Sequence, residues 1–81
     1  MLIDLESVRS LPDRKRSWLP PIEQRNSLKV GDSARLLAVL DGSMPYYPWV
    51  TITAVTTTGY VGVGRDVENE ISFGPDNVIE I

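Results

Sequence analysis

From Ser33 onward, apolar and polar residues alternate in short bursts that stop at glycine, proline or asparagine, the mark of brief strands joined by tight turns. The clearest burst is Trp49 to Thr57, where Val50, Ile52 and Ala54 alternate with Thr51 and Thr53 and β-branched side chains predominate. Ser33 to Leu40 is another, with Ala34, Leu36, Ala38 and Leu40 on one face and Arg35, Leu37 and Val39 on the other. Its far end is apolar on both faces, so another segment has to cover its back, and the N-terminal arm is in a position to do so. Gly59 to Gly64, Glu70 to Phe73 and Val78 to Ile81 complete the set, with Ile71 and Phe73 directed inward.

The connections fit these strands. Leu28-Lys29-Val30-Gly31-Asp32 enters the first strand through a Gly-Asp turn. Asp41 to Pro48 is the longest loop, opened by Asp41-Gly42 and stiffened by Pro45 and Pro48. Thr58-Gly59 closes a hairpin with Gly59 at positive φ, and Gly62 and Gly64 bend the next strand. Arg65 to Asn69 is a polar turn, and Gly74 to Asn77 a turn or one turn of tight helix. Five short strands at this spacing predict a mainly β fold, a small SH3-like barrel over residues 27–81.

Residues 1–26 form an N-terminal arm packed on that barrel. Leu5, Val8 and Leu11 recur at helical spacing, which favours two helical turns ending at Pro12, although Leu2, Ile3 and Leu5 also allow a strand. Residues 12–26 hold three of the six prolines and cannot form a regular helix. They are expected to lie extended along the barrel, anchored by Trp18, Leu19 and Ile22, side chains that would mark a partner site if exposed.

Eighty-one residues allow one domain, and 42% hydrophobic content is that of a folded one. The chain has neither cysteine nor histidine, which rules out disulfides, thiolate chemistry and every histidine-based triad. No apolar run reaches the roughly 20 residues of a membrane span. The N-terminus carries acids where a secretory signal carries bases, so a cytoplasmic protein with no membrane partner is expected. Net charge is -3, but residues 1–40 carry +2 and residues 41–81 carry -5. The two halves either attract each other within the fold or give it a basic and an acidic side.

Four groupings could carry chemistry. Tyr46, Tyr47 and Trp49, with Tyr60 and Phe73 across the barrel, either form a recognition surface for a peptide, a methylated cation or a base, or else divide between core and barrel end. Arg14, Lys15 and Arg16 beside Trp18, with Arg9 and Arg25 near, are a basic run that suits an acidic protein surface or a phosphate backbone. Asp66, Glu68 and Glu70 alternate but lack a cation-loop spacing, and read as edge-strand charges. Gly59, Gly62 and Gly64 lack the strand–loop–helix context of a phosphate loop and read as barrel geometry.

The run from Leu19-Pro20 to Arg25, the L-x-x-G-D turn at 28–32, Trp49-Val50, the Gly59-Tyr60-Val61-Gly62 element and the closing Ile71 to Ile79 stretch resemble the YegJ-like family of bacterial domains of unknown function. The resemblance covers about residues 18–81. The chain departs from the family pattern at Tyr46-Tyr47-Pro48, where a charged run is usual, and at a shortened Arg65 to Asn69 segment. The resemblance implies a small β domain without known catalytic activity. Some family members sit near toxin–immunity systems, which implies a protein partner.

The expected function is therefore that of a non-catalytic binding module without cofactor or metal, recognising a protein or peptide. The expected contact residues are Tyr46, Tyr47, Trp49 and Tyr60, extended by Arg14, Arg16 and Trp18. The arm could also support a homo-oligomer. Two other classes stay open: a nucleic-acid-binding accessory protein, and an oligomer that sequesters a small ligand or nucleotide, like a phage-type sponge.

Overall fold

The computed structural model describes residues 3–65 and 67–81, apart from the side chain of Glu68. The chain is mainly β, as its pattern predicts. Among the described residues eight strands form two antiparallel sheets: β1 (Ile3–Leu5), β2 (Ser33–Leu36), β3 (Ala38–Leu40), β4 (Met44–Tyr46), β5 (Trp49–Val55), β6 (Tyr60–Gly64), β7 (Val67–Phe73) and β8 (Val78–Glu80). The larger sheet has the order β7-β6-β5-β2-β8 and the smaller β1-β3-β4.

The larger sheet curls. Phe73 of β7 and Val78 of β8 stand at opposite edges of its ladder, yet both join one buried cluster with Leu28, Ala34, Leu36, Val50, Ile52 and Tyr60. In a flat sheet, strands about 4.8 Å apart would hold those two edges roughly 19 Å from each other. Curling lets one short 3-10 turn, Pro75–Asn77, join them, and gives the small barrel-like form the segment spacing predicts. Leu36, Ile52, Val50 and Val78 are the largest fully buried side chains, each contributing about 1.5–3 kcal/mol by leaving water.

Residues 33–40 serve both sheets. β2 belongs to the larger, β3 to the smaller, and only Leu37 intervenes. The apolar back face of this stretch is covered as its pattern requires: Leu37 and Ala38 are buried and β1 pairs with β3, Ile3 opposite Leu40. The covering segment takes the strand option rather than the helical one. Leu5 ends β1, and Val8 is buried in a separate 3-10 turn, Val8–Ser10, capped by Ser7. Strand followed by tight turn brings the same apolar residues inward that a helix face would have.

Four other local expectations are corrected. The arm contains two single-turn helices, α1 (Asp13–Arg16) and α2 (Ile22–Arg25), each started by a proline, Pro12 and Pro21. Proline breaks a helix interior but suits its first turn, where no N–H bond is lost. The loop 41–48 holds β4, folded back on β3 through a turn in which Asp41 (φ 51°) and Gly42 (φ 87°) both take the left-handed region. Val67 to Asn69 belong to β7 rather than to a turn; β7 is an edge strand, paired among the described residues only with β6, and solvent exposure gives it a turn-like composition. Gly59 does not have positive φ; a Cβ there would lie 2.3 Å from the carbonyl oxygen of Phe73, so close backbone approach requires the glycine.

Candidate functional site

A groove of about 370 Å³ lies between the arm and the barrel, lined by Leu11, Lys15, Trp18, Leu19, Leu37, Tyr47, Ile79 and Glu80. Leu37, nearly buried where the chain passes between the sheets, is part of its apolar lining, with Ile79 from β8. Trp18 stands 82% exposed just past α1, and Tyr47 is 42% exposed on the segment between β4 and β5. Two large rings thus border an apolar groove, with one cation and one carboxylate beside them.

Tyr47 is held in place. The Nε–H of Arg35 donates to the Tyr47 carbonyl at 3.1 Å, and the guanidinium carbon lies 5.7 Å from the ring centroid. Arg35 also pairs with Glu80 at 3.6 Å, and the Leu36 N–H donates to the Pro48 carbonyl at 2.9 Å. This loop is tied to β2 and loses little freedom on binding, the condition under which exposed rings contribute most to affinity.

The residues expected to act together fall in four places. Tyr47 and Trp18 share the groove. Tyr46 is half-buried on β4, opposite Ala38. Trp49, 44% exposed and so not a core residue, lies across β2 beyond Arg35 and lines a separate 310 Å³ hollow with Ser33, Thr51, Val63, Gly64 and Arg65. Tyr60 is removed from the contact surface: it is buried, its ring 5.5 Å from that of Phe73. Its hydroxyl donates to the Arg25 carbonyl at 2.7 Å and accepts the Leu28 N–H at 3.3 Å. Closeness in sequence put these rings in one group, whereas alternation along the strands and the barrel's curl place them on different faces.

The arm's expected anchors also divide. Leu19 is half-buried, but Trp18 and Ile22 are exposed, Ile22 at 43%. Arg16 pairs with Asp13 on its own helical turn, while Arg14 and Lys15 have no ionic partner among the described residues. Of the alternating carboxylates, Glu70 is exposed on β7, Asp66 lies outside the described residues, and so does the side chain of Glu68. Among the described residues no group of carboxylates is placed to hold a metal ion, and every buried side-chain nitrogen or oxygen has a hydrogen-bond partner. Among the described residues no helix is long and apolar enough to cross a membrane.

The sequence reading missed Ile79 and Glu80, which line the groove, and Arg35, which holds Tyr47 at its border. Leu37 carried a signal, as the apolar residue on the back of its strand. Arg35 carried none, because a cation at a half-buried strand position resembles any other. Comparison with models of protein families, with curated proteins and with solved structures finds no match for this chain.

Proposed function

We propose that this protein is a non-catalytic recognition module that binds a protein segment in the groove between Trp18 and Tyr47. The supporting observation is the exposure of Trp18 beside an apolar groove whose opposite ring, Tyr47, is held by Arg35. An exposed tryptophan offers a large apolar area for burial against a partner, and tryptophan, tyrosine and arginine dominate the energetics of protein interfaces. A YegJ-like domain, which the residues of 18–81 resemble, accords with this reading.

The test is selection of peptide ligands from a displayed library on the wild-type chain, followed by calorimetry on Trp18→Ala and Tyr47→Ala. Loss of about 30-fold or more in affinity for each variant, the size of an interface hot spot, is the expected result. Ligands bound equally by both variants would reject the groove.

Nucleic-acid binding is the second reading, favoured by Arg14 and Lys15, without an ionic partner among the described residues, beside the exposed ring. It requires single-strand affinity that falls steeply with salt and is lost in Arg14→Ala/Lys15→Ala.

A further inference from the structure

A second hollow, of about 450 Å³, is lined mostly by residues of the arm. Arg9, Arg16 and Arg25 line it with Asp76, together with Val8, Leu19 and the Pro20-Pro21-Ile22 segment. Leu19 is shared with the Trp18–Tyr47 groove, so the two are neighbours. Three arginines of the arm converge here in a chain whose net charge is -3.

Each guanidinium arrives differently. Arg25 is fixed, its Nε–H donating to the Pro20 carbonyl at 3.0 Å and its Nη1–H to the Pro75 carbonyl at 2.9 Å. Two of its five N–H groups are thereby directed at carbonyls, and the rest remain for other acceptors. Arg9 approaches Asp76 at 3.6 Å, both side chains well exposed, and Arg16 is held by Asp13. The Asp76 carboxylate therefore already shows where an oxyanion sits against Arg9. With Asp13 on Arg16, two carboxylates stand against three cations, and the exposed Arg9–Asp76 pairing exchanges readily with solvent or ligand. Guanidinium forks match the geometry of carboxylate and phosphate oxygens.

We infer that this hollow binds an oxyanion carried by the segment whose apolar residues fill the Trp18–Tyr47 groove. The partner is then an acidic or phosphorylated peptide with a large apolar residue beside its anionic one. The inference rests on the peptide reading above for the partner, but the oxyanion site itself is testable without any peptide.

The test follows the arginine Nε–H resonances of the labelled full chain during titration with inorganic phosphate and, separately, acetate, at constant ionic strength set by chloride. Arg9, Arg16 and Arg25 are expected to shift together along one saturating curve while Arg14 and Arg65 do not. The double variant Arg9→Gln/Arg16→Gln weakens the apparent affinity at least five-fold; Arg25 is left intact because its carbonyl bonds hold the arm. Saturation with both anions assigns the site to carboxylate side chains, and saturation with phosphate alone assigns it to phosphorylated residues. Linear drift of all arginines alike with both anions overturns the site. Failure of the hollow is read from this anion titration alone, and failure of the groove from the peptide calorimetry, so the two are distinguished.

Discussion

The Tyr60 hydroxyl donates to the carbonyl oxygen of Arg25, 35 residues earlier in the chain, and so ties the end of α2 to the first residue of β6. The hydroxyl oxygen of Tyr60 in turn accepts the N–H of buried Leu28. Tyr60→Phe keeps the ring on Phe73 but leaves two backbone groups short of a partner. A loss of about 1–3 kcal/mol is expected, measured by urea unfolding. In a domain of this size each kcal/mol lowers Tm by about 4–8 °C.

Asn77 joins three parts of the molecule. Its Oδ1 accepts the Gly74 N–H at 2.9 Å, its Nδ2 donates to the Glu6 carbonyl at 3.0 Å, and its own carbonyl accepts the Leu37 N–H at 2.8 Å. Asn77→Ala removes the first two. It is expected to destabilise the fold by about 1–2 kcal/mol and to speed amide hydrogen exchange in β1 more than in β5. Equal acceleration in both strands would show that Asn77 does not tether β1 selectively.

Gly64 lies where β6 meets the start of β5, and a Cβ there would stand 2.5 Å from the Trp49 carbonyl oxygen. Backbone must move to admit it, so Gly64→Ala is expected to cost about 1–3 kcal/mol. Gly31→Ala meets no atom within 4 Å and is penalised only by its φ of 96°. Thermal melts of the two variants separate crowding from backbone conformation.

Trp18→Ala is expected to leave stability within about 0.5 kcal/mol of wild type, because the ring is 82% exposed. Ile52→Ala, by contrast, is expected to cost about 2–5 kcal/mol through the cavity it opens. A Trp18 variant that melts early would mean that the ring is held at home rather than offered to a partner.

Strand alternation was legible where one face is buried and the other wet, as in Val50 and Ile52 against Thr51 and Thr53. It misled where two geometries bury the same residues, as at Leu5 and Val8, and where an exposed edge carries polar residues, as in β7. The candidate site was half legible. Trp18 and Tyr47 belonged to two separate groups in the sequence, and only the path of the arm past Leu37 unites them. Tyr60 looked like part of the aromatic surface because hydrogen-bond partners 32 and 35 residues away leave no trace in local sequence.

The stretch 33–40 flanked by β1 and β8 has a mechanical consequence. Ile3 stands opposite Leu40, and Glu80 opposite Arg35, so the two outer strands leave opposite ends of one continuous stretch of chain. A pull applied through Ile3 and Glu80 passes through β2 and β3 in turn and loads both ladders in shear, with their hydrogen bonds lying across the force. Under tension the bonds of each ladder share the load instead of unzipping one by one, so a pull along this path meets more resistance than one that peels either outer strand from its end.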